Sequence, residues 1–117
     1  MAYTKKARTF ARKAGPRAAL MKSLARALVL EERISTTEAK AKSLRPMIER
    51  LVTHAKKNTL ASRRLTKARL GDDEAVKKLF DSIGPRYAER AGGYTRVTKR
   101  TMRGSNDARK LAYISFV

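Results

Sequence analysis

A chain of 117 residues, 42% of them hydrophobic, has room for a single domain with one modest core. It has no cysteine and one histidine, His54, which excludes disulfides, thiolate metal sites and multi-histidine metal centres, and no apolar run approaches the roughly 20 residues of a membrane span. Twenty-nine Lys and Arg against ten Asp and Glu give a formal net charge of +19, where a small soluble domain usually carries about 2–8; self-repulsion on this scale calls for a polyanion, most commonly nucleic acid.

Residues 1–30 hold eight basic residues and no acidic one. Within residues 1–15 the cations Lys5, Lys6, Arg8, Arg12 and Lys13 recur without an apolar stripe, so this segment is expected to be an extended basic RNA-binding arm ahead of a single α/β domain at 16–117. Tyr3 and Phe10 interrupt the charge, and either ring can stack on an unpaired base. A frayed terminus is the plain alternative; a transit peptide would be richer in serine.

Pro16 suits the first turn of a helix, where its missing N–H had no partner in any case. Over 17–32, Leu20, Leu24, Ala27 and Leu28 share one face at 3.6-residue periodicity, and Lys22 and Arg26 lie opposite, toward phosphate or solvent. The β-branched alternation at 33–37 predicts a short strand. Ser35 and Glu38 have capping-box spacing for the next helix, with Thr36 or Thr37 as the alternative cap. That helix is predicted to about residue 57 on the stripe Ala41, Leu44, Ile48, Leu51, Val52 and Ala55, with Glu38/Lys42 and Arg45/Glu49 pairing along its outer face. An interior proline costs about 3 kcal/mol; Pro46 falls on the polar side, which predicts a bend rather than two helices.

Asn58-Thr59 starts a short helix through residue 69 that carries Arg63-Arg64 and ends at Gly71. Asp72-Asp73-Glu74 opens the next, with Val76, Leu79, Phe80 and Ile83 on one face, and Gly84-Pro85 stops it, leaving at most one further turn over 85–91. After Gly92-Gly93 the period changes to two. Segments 94–100 and 109–117 alternate around the turn residues 103–107, a hairpin with a wide basic connection. The order helix, strand, three helices, two strands predicts an α+β fold, a two-layer sandwich with helices on one face of a small three-stranded sheet.

No catalytic grouping emerges. His54 lies beside Lys56 and Lys57 with no partner set for acid–base or nucleophilic work, which predicts a surface histidine. Asp72, Asp73 and Glu74 could hold Mg²⁺ in a nuclease, but acids at a helix N-terminus follow from the dipole alone. The basic residues remain. Arginine forks onto phosphate while lysine acts as a point charge. Candidate RNA contacts are the arm cations, then Arg17, Lys22 and Arg26 of the first helix, then Arg86, Arg90, Arg96, Lys99, Arg100 and Arg103 around Gly92-Gly93. Tyr94 belongs to this last group, either stacking on a base or packing in the core.

The string Arg90-Ala91-Gly92-Gly93-Tyr94-Thr95-Arg96, preceded by Gly84-Pro85-Arg86-Tyr87, resembles the signature of the bacterial large-subunit ribosomal protein seventeen family. Thr36-Thr37, Lys40-Ala41-Lys42, Leu44-Arg45, Arg63-Arg64, Lys78-Leu79-Phe80 and Ala112-Tyr113-Ile114 fit the same pattern in the same order, from about Arg17 onward. The resemblance implies a two-layer α/β fold without catalytic activity or cofactor. It also implies a place near the exit of the nascent-chain tunnel, with large-subunit ribosomal RNA and neighbouring ribosomal proteins as partners, in a cytoplasmic or organellar ribosome. The family typically opens on a Met-Arg-His-Arg-like tetrad and carries a His-Arg pair before its first helix. Met1-Ala2-Tyr3-Thr4 and Gly15-Pro16-Arg17 stand here instead, so a general RNA role carries over to residues 1–16 and individual contacts do not.

Three other readings start from the same charge. A DNA-binding architectural protein would be expected to show apolar intercalating wedges. A nuclease would rest on the acidic triplet, and a membrane-surface protein on the modest apolar face of the first helix.

Overall fold

The computed structural model describes residues 14–100 and 110–117; the cations of the arm and Arg103 lie outside them. Helix α1 spans Ala14–Glu31 with Pro16 in its first turn, so the boundary expected between residues 15 and 16 falls inside the helix. Lys22 and Arg26 are exposed as expected, but the packed stripe is displaced. Ala25, Leu28 and Val29 are buried with Met21 and Leu24 against them, while Leu20 and Ala27 are half-buried. From Leu24 to Leu30 every residue of α1 except Arg26 is Leu, Ala or Val, so neighbouring stripes are nearly equivalent in sequence and the tertiary contacts choose.

Glu32 ends the helix in the left-handed region, φ +64°, and strand β1 follows at Arg33–Thr37. Helix α2, Glu38–Lys57, is capped by Thr37, whose hydroxyl accepts from Lys40 N at 3.3 Å. Thr37, rather than Ser35, therefore caps this helix. All six residues of the predicted α2 stripe are buried. Pro46 is exposed inside an unbroken helix. The two glutamates do form their pairs, Glu38 with Lys42 at 2.9 Å and Glu49 with Arg45 at 3.9 Å. Neither lies on an outer face: Glu38 is buried and Glu49 half-buried toward the sheet.

Helix α3, Leu60–Leu70, begins at a reciprocal capping box between Thr59 and Ser62 and ends at Gly71, φ +68°. Helix α4, Asp73–Lys78, is capped by Asp72. The Gly84-Pro85 stop does not occur there. The chain widens into a π-helical turn at Leu79–Ile83 and continues as a short helix α5, Gly84–Arg86, with Pro85 in its first turn. Proline is tolerated at that position because no intrahelical donor is lost. Gly84 is needed for closeness: a Cβ there would lie 3.1 Å from Ala55 Cβ and 3.2 Å from its backbone C and O.

Strands β2, Thr95–Lys99, and β3, Leu111–Phe116, complete an antiparallel sheet of order β1-β3-β2. Ala112 and Ile114 are fully buried, and Ile34, Val97 and Phe116 pack beside them against the helical layer. The result is the expected α+β pair of layers. Alternation places Arg33 and Ser35, Arg96 and Thr98, and Tyr113 and Ser115 on the opposite face of the sheet.

Candidate nucleic-acid interface

The backbone between α5 and β2 is tied down from beneath. Glu49, on α2, accepts from Tyr94 N at 3.0 Å, Thr95 N at 3.3 Å and the Thr95 hydroxyl at 3.2 Å. Gly93 turns the chain at φ +66°. The Tyr94 ring goes inward: it is 3% exposed and lies 5.3 Å from Tyr87, tilted by 50°. Its hydroxyl donates to Arg90 O at 3.1 Å and accepts from Lys56 Nζ at 2.9 Å; the same ammonium donates to the Arg90 carbonyl. Tyr94 is therefore a core residue and not a surface for base stacking. Tyr87 donates to Val117 O, and Val117 N donates to Tyr94 O at 3.0 Å, which closes the knot.

This frame fixes where the cations begin. Arg90 is exposed and curls onto Gly92 O at 3.0 Å. Arg86 is committed elsewhere, to the carboxylate of Glu32, which also takes Lys78 at 3.4 Å. The Arg86 hydrogen bond, helped by the charge of Lys78, holds the Glu32 carboxyl below the usual carboxylate range. Lys99 reaches Glu38 at 3.8 Å; hydrogen bonding from Lys42, then the charges of Lys42 and Lys99, lowers the Glu38 carboxyl likewise. Arg100 donates to the Ser35 hydroxyl at 3.1 Å, bridging β2 to β1 across the sheet.

Among the described residues, no carboxylate pairs with Arg17, Lys22, Arg26, Arg90 or Arg96. Lys22 and Arg26 project from α1, Arg17 is half-buried at its start, and Arg96 stands on the outer face of β2. The candidates thus fall into two groups, those of α1, where Lys22 and Arg26 share the outer side and Arg17 does not, and those of the 86–100 region. Glu32, just after α1, ties the end of that helix to the second group by taking Arg86.

Two residues that belong with this region lie far from it in sequence. Arg33 places its guanidinium 4.0 Å from the centre of the Tyr113 ring, and Arg100 lies 5.4 Å from the same ring. Glu49 and Lys56, which hold the frame, carry no sequence signal beyond helical spacing. The acidic triplet is used structurally: Asp72 accepts from Glu74 N at 3.1 Å, and Asp73 pairs with Lys67 at 3.0 Å. His54 is half-buried in a shallow recess with Met47, Arg50, Leu51, Leu65 and Arg69. No helix is long and apolar enough to cross a membrane among the described residues.

Residues 20–117 match the family described as ribosomal protein L17. The chain belongs to the ribosomal protein L17 family. It is 50% identical over 117 residues to the large ribosomal subunit protein bL17 of Hydrogenobaculum, covering 100% of this chain and 99% of that one. Similarity to the proteins of the same name from Thermomicrobium roseum and Fusobacterium nucleatum is 48% and 46% over the same 117 residues, covering 99% and 100% of those chains. Membership of the L17 family bears out the resemblance carried by the 84–96 string and its companion motifs.

Proposed function

We propose that this protein is a structural, non-enzymatic constituent of the large ribosomal subunit that binds and stabilises folded large-subunit ribosomal RNA near the exit of the nascent-chain tunnel. The observation that carries this reading is L17 family membership joined to a net charge of +19. Unpaired cations do the binding. Lys22 and Arg26 on α1, with Arg90 and Arg96 at the other surface, meet RNA backbone around a folded junction, while the 1–15 arm and Arg103 extend the contact.

The helical layer and the Glu49–Tyr94–Lys56 knot hold those cations at fixed spacing, so little ordering of the domain remains when RNA arrives. Each phosphate neutralised releases condensed counterions, so affinity falls by roughly 0.7–0.9 log units per contact per decade of salt. Recognition follows RNA shape and unpaired bases, because the A-form major groove is too narrow to read. The partners are large-subunit ribosomal RNA and the neighbouring proteins of the particle, in the cytoplasmic or an organellar ribosome.

The test is competition binding at fixed salt between a large-subunit ribosomal RNA fragment and random duplex DNA. Preference for the ribosomal RNA is expected; equal affinity would overturn the reading in favour of a general architectural protein. Co-sedimentation of the chain with large subunits in a high-salt sucrose gradient checks the assignment to the particle.

A further inference from the structure

The outer face of the sheet carries Arg96 and the contacts of Tyr113 with Arg33 and Arg100, and no described helix covers it. The antiparallel register lines Arg33, Ser115 and Arg96 across it in one row and Ser35, Tyr113 and Thr98 in the next. Tyr113 is thus the central side chain of the face, and guanidiniums from both edges converge on it, Arg33 at 4.0 Å and Arg100 at 5.4 Å. Arg100 is further held by Ser35 at 3.1 Å. The outward positions of the three strands carry no Asp or Glu.

The geometry points to a binding platform for a single-stranded RNA segment on this face, with an unpaired base stacked on the Arg33–Tyr113–Arg100 group and the adjoining phosphate on Arg96. Three features select this ligand. Planar guanidinium and aromatic groups offer stacking surface, which only an unstacked base can use. Arginine without neighbouring carboxylates selects a polyanion over a protein surface of mixed charge. Ser35, Thr98 and Ser115 add hydroxyls of the kind that meet a ribose 2′-OH. The site rests on the reading of the protein as an RNA binder and deepens it, naming the surface and the side chains that take an unpaired base.

The test uses the full chain, a short unstructured RNA oligonucleotide and a fully paired RNA duplex of equal length, with anisotropy at one salt concentration. Wild type is expected to favour the single strand. Tyr113→Leu should weaken the single strand about tenfold and the duplex less than about twofold, and Tyr113→Phe should retain binding. Arg33→Lys and Arg100→Lys keep the charge and lose the plane; they should reproduce the single-strand loss in part. Ultraviolet cross-linking of wild type to the oligonucleotide should modify Tyr113, and this readout decides the matter if Tyr113→Leu does not fold. A Tyr113→Leu protein that unfolds more easily yet binds both RNAs as wild type does would overturn the platform and leave the ring a strand-bracing residue. So would cross-links confined to other residues, or a ribosomal protein found on this face. Each of those results leaves the broader reading standing, whereas failure of wild type to bind any ribosomal RNA removes both.

Discussion

Glu49 lies four residues after Arg45, and helical spacing alone would make the two a solvent-facing pair. The pair forms, but the fold also uses the carboxylate as the acceptor for two backbone amides and a hydroxyl at the start of β2. Replacing it by alanine strands donors that are part-buried, and Glu49→Ala should cost about 1–3 kcal/mol in urea unfolding, with Glu49→Gln losing less. Glu32 offers a pH test. Its carboxyl is held below the ordinary value of 4.5 in the folded chain, so the native state binds protons less readily than the unfolded one. The stabilisation is complete above the ordinary value and is lost as pH falls through the lowered one. Wild type should therefore exceed Glu32→Gln in urea midpoint by a small margin at pH 7, and the margin should shrink progressively as the pH is taken below 4.5; a margin that does not shrink in acid would sink the assignment. Such roles are hidden at this scale because local spacing shows only neighbours three or four residues away. Tyr94 shows the same limit from the other side: flanked by arginines and glycines it is as suited to stacking as to packing, and only Tyr87 and Lys56, brought in by other elements, decide for the core.

The elements themselves were mostly legible, since a 3.6-residue or two-residue period with flanking caps is a local property. The alternation at 33–37 and the stripe from Ala41 to Ala55 became β1 and α2 as read. Misreadings arose where local chemistry supports two outcomes. Gly84-Pro85 is an ordinary helix stop, yet proline is equally at home opening a helix, and the π-helical turn before it lets the chain restart as α5. What decides is the closeness of Gly84 to the Ala55 backbone. Glycine there is already in helical φ and ψ, −55° and −54°, so alanine would gain about 1 kcal/mol in propensity. The contacts are with Ala55 Cβ at 3.1 Å and with its backbone C and O at 3.2 Å, and these atoms yield poorly. Gly84→Ala should be net destabilising by about 1–2 kcal/mol, seen as a melting temperature lowered by several degrees; a stabilised variant would show that α5 is not pressed against α2.

For the whole molecule, charge outweighs any single contact. A net +19 on 117 residues is what remains after all ten carboxylates are set against cations, so the isolated protein folds against its own field. Raising salt from about 0.02 M to about 0.3 M shortens the screening length several-fold. The melting temperature should rise with it, even as RNA affinity falls; a melting temperature that is flat or falling would contradict the self-repulsion. The expectation of a basic arm, a basic helix face and a basic 86–103 region came from where the cations fall in the sequence, but the pairing that joins Arg33 to Tyr113 spans most of the chain and leaves no local trace.

The order β1-β3-β2 has a temporal side. The strand that unites the two edges is synthesised after both of them, so a growing chain that has reached residue 100 owns two margins and no centre. The helical layer can gather early through its neighbouring contacts, whereas the sheet waits for β3, which meets β2 as a near neighbour in sequence and β1 across a long separation. Every amide of β1 and β2 that faces β3 waits likewise, and so does any recognition that needs Arg33, Arg96 and Tyr113 on one surface.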